Sequence, residues 1–143
     1  MSPQTILHPT DFSPYAERAF DAACSLARHY GARVVVVHAS AVAAAGYGTA
    51  TVPPPEGDWS VLEHQIAQVR PKDESVRVEH RLVLGTPPEE IIRVAAEIHA
   101  DLIVMGTHGR TGLSRALMGS VAEEVVRKAP CSVLVVKTPH GAA

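Results

Sequence analysis

Arg33-Val34-Val35-Val36-Val37-His38 is an unbroken β-branched run with no alternation of apolar and polar positions. A half-exposed strand would alternate, so this one is expected to be covered on both faces, as strands of parallel sheets are. Two covered faces require helices on both sides, and the chain supplies them, because strand-like and helix-like segments alternate throughout. A first strand is read at about Thr5–His8, ended by Pro9 and a Thr10-Asp11-Phe12 turn. Ser13 then caps a helix with Pro14 at its first position, where the missing N–H costs nothing. Ala16, Ala19, Phe20, Ala23, Leu26, Ala27 and Tyr30 form its inner stripe, and Gly31 closes it.

Further along, a helix is expected over about Asp58–Arg70, with Trp59, Leu62, Ile66 and Val69 on one side. Val76, Val78, His80, Leu82 and Leu84 alternate with polar positions, the pattern of a half-exposed edge strand. Thr86-Pro87-Pro88-Glu89 reads as a capping box opening a helix to about His99. Asp101–Met105 reads as a buried strand, Ser120–Lys128 as a helix stopped by Pro130, and Ser132–Lys137 as a closing strand. The edge character of the third strand favours a doubly wound α/β sheet in the order 3-2-1-4-5. Residues 1–143 are expected to form one domain, with 40–57 a long mobile loop rich in Ala, Gly and Pro, and 139–143 a frayed tail.

Composition narrows the function classes. A hydrophobic content of 46%, a charged content of 20% and a net charge of -2 give no basic surface for nucleic acid or anionic membrane. No apolar run approaches the ~20 residues that span a bilayer. The segment Met1-Ser2-Pro3-Gln4 lacks the features of a signal peptide, so a cytoplasmic location is expected. Cys24 and Cys131 are expected as reduced, buried thiols. The 8 histidines contain no His-x-x-x-His pair, and there is no Cys-x-x-Cys, so a protein-only transition-metal site is not expected.

Chemistry concentrates at Gly106–Ser120, where the Asp101–Met105 strand runs into a glycine-punctuated loop leading to a helix start. Glycines at 106, 109 and 112 can take positive φ or let a ligand approach the backbone. Ser120, with Glu123 three residues on, reads as a capping box, and the helix start presents unpaired N–H groups to an anion. A phosphate cradle results. It is neither a dinucleotide fingerprint, since the first two glycines are three apart, nor a Walker loop, since no lysine follows a glycine. It is Gly-x2-Gly-x9-Gly-Ser, at Gly106, Gly109, Gly119 and Ser120.

That pattern resembles the ATP-binding branch of the universal stress protein family. Ile6-Leu7-His8-Pro9-Thr10-Asp11-Phe12-Ser13 resembles the family's opening strand, and Ala129-Pro130-Cys131-Ser132-Val133-Leu134-Val135-Val136 its closing one. The resemblance implies the same strand order, with an adenine-nucleotide site beyond the ends of strands one and four. It implies ligand contacts at Pro9, Thr10, Asp11, Ala39, Met105, Gly106, His108, Gly109, Arg110, Gly119, Ser120 and Val121. Asp11 is read as meeting the nucleoside, against a turn residue bonding its own backbone. Ser120 either binds a phosphate oxygen or caps its helix, and the two roles can coexist. Arg110 is the first candidate to neutralise phosphates, ahead of Arg115, against a plain solvated arginine. His108 either donates to a phosphate or packs over the loop and caps a carbonyl. His8 departs from the aliphatic residue usual in the family and is given no catalytic role.

The expected ligand is ATP, or ADP or AMP, and Mg²⁺ or Mn²⁺ would enter only through the phosphates. The favoured reading is an ATP-binding regulatory module of the stress response, acting as a homodimer through Ser132–Val136 toward an unidentified protein partner. Slow ATP hydrolysis and a nucleotide-free dimerising module are the alternatives. No dedicated catalysis is expected, since His108 is the only nearby group that could activate water.

Overall fold

A computed structural model of the chain describes residues 2–40, 56–108 and 118–137. The elements run β1 (Thr5–Pro9), α1 (Pro14–Tyr30), β2 (Arg33–Ser40), α2 (Glu56–Ala67), β3 (Val78–Leu84), α3 (Pro87–Glu97), β4 (Leu102–Gly106), α4 (Ser120–Lys128) and β5 (Ser132–Val136). All five strands are parallel, in the order β3-β2-β1-β4-β5. The order expected from the alternating third strand is therefore the one observed.

The β-branched run explains the layering. Val34 and Val36 pack with Phe20, Ala23 and Ile66 on the α1–α2 face, while Val35 and Val37 pack with Ile91, Val94 and Val125 on the α3–α4 face. All four valines are at most 1% exposed, so a polar side chain at any of these four positions would be taken out of water. β3, at the edge, has no fully buried residue, and Arg81 pairs with Glu97 beside it. Cys24 and Cys131 are free and pack on opposite faces. Burial raises the Cys24 thiol to about 11, which suits an inert thiol rather than a nucleophile.

Local signals formed as the residues dictate in α1. Ser13 accepts a hydrogen bond from the Ala16 amide, Pro14 opens the helix, and Gly31 ends it in the left-handed region at φ 70°. Other boundaries moved. Pro9 belongs to β1, whose ladder needs no N–H from its last residue. α2 spans Glu56–Ala67 rather than Asp58–Arg70, and Ser40 belongs to β2. Of the expected 40–57 loop, residues 41–55 lie outside the described residues, as does the 139–143 tail. α3 stops at Glu97 because His99 turns to a positive φ of 53°. Thr86 stands at the N-cap of α3 but makes no side-chain cap bond, so that capping box is not formed. Among the described residues no helix is long and apolar enough to cross a membrane.

β1 and β4, the strands at which the order reverses, are joined by only two pairs, Ile6↔Leu102 and Leu7↔Ile103. At their amino ends the Asp101 carboxylate accepts from the Gln4 and Thr5 amides at 2.8 and 3.0 Å. At their carboxyl ends the strands part, and the split opens toward the candidate site.

Candidate functional site

The β1 wall of the split is a tight turn. The Thr10 amide donates to the Val37 carbonyl at 2.9 Å, the Phe12 amide to Thr10 Oγ1 at 3.0 Å, and the Ser13 amide to Asp11 Oδ1 at 3.0 Å. His38 Nδ1 donates to the Thr10 carbonyl at 2.8 Å, and its ring lies 4.5 Å from that of Phe12. These bonds hold Phe12 at φ 64°, a left-handed conformation that costs a non-glycine residue about 1–2 kcal/mol. Strain of this kind persists only where the surroundings over-determine it.

The β4 wall is held as firmly. The Thr107 amide and hydroxyl both donate to the Val136 carbonyl at 3.1 Å, and the Gly119 amide donates to the Thr107 carbonyl at 2.7 Å. The chain thus leaves β4 and enters α4 at one point. Gly106 has a reason the sequence did not reveal. Its φ is not positive, and a Cβ there would stand 3.2 Å from the Tyr15 carbonyl oxygen, so it is glycine to let α1 approach β4.

Between the walls lies a cavity of about 350 Å³, within the size range of small-molecule sites. Pro9, Thr10, Asp11, Ala39, Met105, Gly106, His108, Gly119, Ser120 and Val121 all line it. Gly109 and Arg110, with Gly112 and Arg115, lie outside the described residues. Asp11 makes the turn bond expected of it, to the Ser13 amide, and it also lines the cavity. Ser120 does not cap α4: the N-cap is Gly119, in extended backbone at φ -63° and ψ 157°, with no side-chain cap bond. Ser120 is instead the first helical residue. The first-turn amides of α4 lack partners within the helix and carry the positive end of its dipole.

His108 makes no carbonyl cap among the described residues. Its Nε2 is buried without a hydrogen-bond partner, and its ring centroid lies 6.2 Å from that of Tyr15. Few buried polar atoms in native proteins lack a partner, so this nitrogen stands out in the lining of the cavity. Pro87 and Ile91 of α3, with Val37 and Ala122, form an apolar wall that no motif marked. Only the packing of α3 against β2 brings them there. Among the described residues no three His, Cys, Asp or Glu side chains gather as metal ligands.

The chain is thus a doubly wound α/β protein with a cavity at the switch point of its sheet, the place where open sheets of this kind hold ligands when they bind them. The universal stress protein family model matches residues 3–137, and the chain belongs to that family. It is 36% identical to the universal stress protein MJ0531 of Methanocaldococcus jannaschii, over 94% of this chain and 82% of that one. Its fold superposes on the protein MJ0577 of the same organism with a TM-score of 0.76, at 29% identity, covering 99% of this chain and 100% of the other. A universal stress protein from Archaeoglobus fulgidus, solved in complex with dAMP, matches with a TM-score of 0.67 at 27% identity, covering 96% and 100%.

Proposed function

We propose that this chain is an adenine-nucleotide-binding regulatory protein, with ATP as its ligand in the cavity between β1 and β4. The observation that carries the reading is the convergence of Asp11, Ala39, Gly106, His108 and the α4 N-terminus on one cavity, from four separate stretches of sequence. Their chemistry divides along it. Val37, Ala39, Ile91 and Met105 offer an apolar slot suited to a base, and Asp11 an acceptor for ribose hydroxyls or an amino group. The α4 amides, Ser120 and His108 offer donors to phosphate. The relative solved with dAMP favours an adenine nucleotide over other phosphate esters. Mg²⁺ or Mn²⁺ would be held through the phosphates with waters, since among the described residues Asp11 is the only carboxylate in the lining.

The reading assigns no dedicated catalysis; slow hydrolysis would rest on His108 alone. It includes a homodimer through β5, a sheet edge on which Leu134 is 40% exposed with no charged residue within the strand. Heat-denaturing the purified protein and identifying the released small molecules by mass spectrometry tests the proposal. Released ATP, ADP or AMP supports it. A protein that releases no nucleotide and takes none up from millimolar ATP contradicts it.

A further inference from the structure

A second cavity, about 450 Å³, lies on the α1–α2 face of the sheet, away from the α3–α4 face that walls the first. His8, completely buried, is one of the residues that line it. The His8 Nδ1 lies 3.0 Å from the Val104 carbonyl oxygen, which can only accept, so the ring proton is on Nδ1. Nε2 therefore carries a lone pair, and it is buried with no partner. Burial lowers the ring's pKa to about 4, so that lone pair is free of a proton at neutral pH. Leaving a buried acceptor unsatisfied is unfavourable, and native proteins keep few such groups without a reason.

The rest of the lining is graded in polarity. Phe20 sits beside His8, ring centroids 5.4 Å apart, and Phe12 flanks the cavity with it. Nearer solvent, Glu17 and Asp21 stand four residues apart on α1, both exposed, and neither takes part in an ion pair among the described residues. Arg70 and Lys72, beyond the end of α2, are on the opposite wall. A charge buried at His8 would be costly, whereas a neutral O–H there would satisfy Nε2. An aromatic body suits the two phenylalanines, and a cation suits the carboxylates at the mouth.

We propose that this cavity binds a hydroxyaryl amine, its phenolic hydroxyl donating to His8 Nε2, its ring between Phe12 and Phe20, and its ammonium beside Glu17 and Asp21. Nothing in this depends on nucleotide binding in the first cavity, although Thr10 and Ala16 line both.

The full-length protein, titrated with tyramine and followed by calorimetry and by ¹⁵N NMR of the histidine rings, tests the assignment. Saturable binding is expected, with the largest shift among the histidine nitrogens at His8 Nε2 and a smaller one allowed at His64, which also lines the cavity. Phenethylamine, which lacks only the hydroxyl, should bind about tenfold more weakly. The paired variant Glu17→Gln, Asp21→Asn should weaken tyramine several-fold while leaving circular dichroism unchanged. No binding of tyramine at 10 mM, equal affinity for phenethylamine, or tighter binding of the anion 3-(4-hydroxyphenyl)propionate toward Arg70 and Lys72 would each overturn it.

Discussion

His8 bridges the split in the sheet by donating from Nδ1 to the Val104 carbonyl, one residue beyond the last β1–β4 ladder pair. In the continued register Pro9 would be the next to donate to β4, and it has no N–H. The imidazole supplies the donor that proline lacks. Two features that look unrelated in the sequence, a histidine in a buried strand and the proline after it, are thus one arrangement.

A pH dependence follows from that burial. The folded-state pKa of His8 is lowered to about 4 from 6.5, chiefly by desolvation. A lowered value means the unfolded chain binds the proton more readily, so this contribution to stability is present above pH 6.5 and lost as pH falls toward 4. Its size is about 3 kcal/mol at 1.4 kcal/mol per unit. Urea unfolding of the native protein and of His8→Leu at pH 7, 6, 5 and 4.5 checks it. The native protein should lose more stability over that range than the variant; parallel curves would show that His8 is not buried neutral.

Gly106→Ala should destabilise the fold by about 1–3 kcal/mol, because the new methyl presses on the Tyr15 backbone and neither α1 nor β4 can yield cheaply. Thermal unfolding reads this directly, and an unchanged midpoint would mean that α1 and β4 are not so closely packed.

Much of this was legible in the chain and some was not, for reasons that differ by residue. The valines of β2 specified both layers because a run without alternation has no solvent face to offer. Ser13, Pro14 and Gly31 specified α1 because their effects are local. Ser120 misled because serine followed by Glu123 is a cap signal only if the serine is the last non-helical residue, and Gly119 holds that place. The sequence allows Gly106 a positive φ or a close approach by a ligand, yet its constraint comes from a helix some ninety residues earlier in the chain. Pro87 and Ile91 reach the cavity only through tertiary packing, which no local pattern encodes. The unpartnered Nε2 of His8 was invisible for the same reason.

Asp11→Ala should weaken adenosine and ATP by similar factors if the carboxylate meets the nucleoside end. It also removes the acceptor for the Ser13 amide, at a cost to stability of about 1 kcal/mol. Asp11→Asn retains an acceptor for that amide and separates the two effects. A loss confined to ATP would move Asp11 to the phosphate end.

The β5 edge should pair with its own copy. Light scattering behind size exclusion at micromolar concentration is expected to give a dimer, and Val135→Pro, which removes a strand N–H, a monomer. A native monomer, or a dimer that survives the proline, would place the interface elsewhere.

The most direct measurement is calorimetric titration of ATP into the native protein and into Gly119→Val, with circular dichroism on both. The backbone at residue 119 lies in a region open to any amino acid, so valine adds no φ/ψ strain. What it adds is bulk at the entrance to α4, where phosphate is to meet the first-turn amides. Saturable binding by the native protein, and none by a folded Gly119→Val, is the expected result. Equal affinity in a folded variant, or no binding by the native protein, would contradict a nucleotide site at the switch point of this sheet.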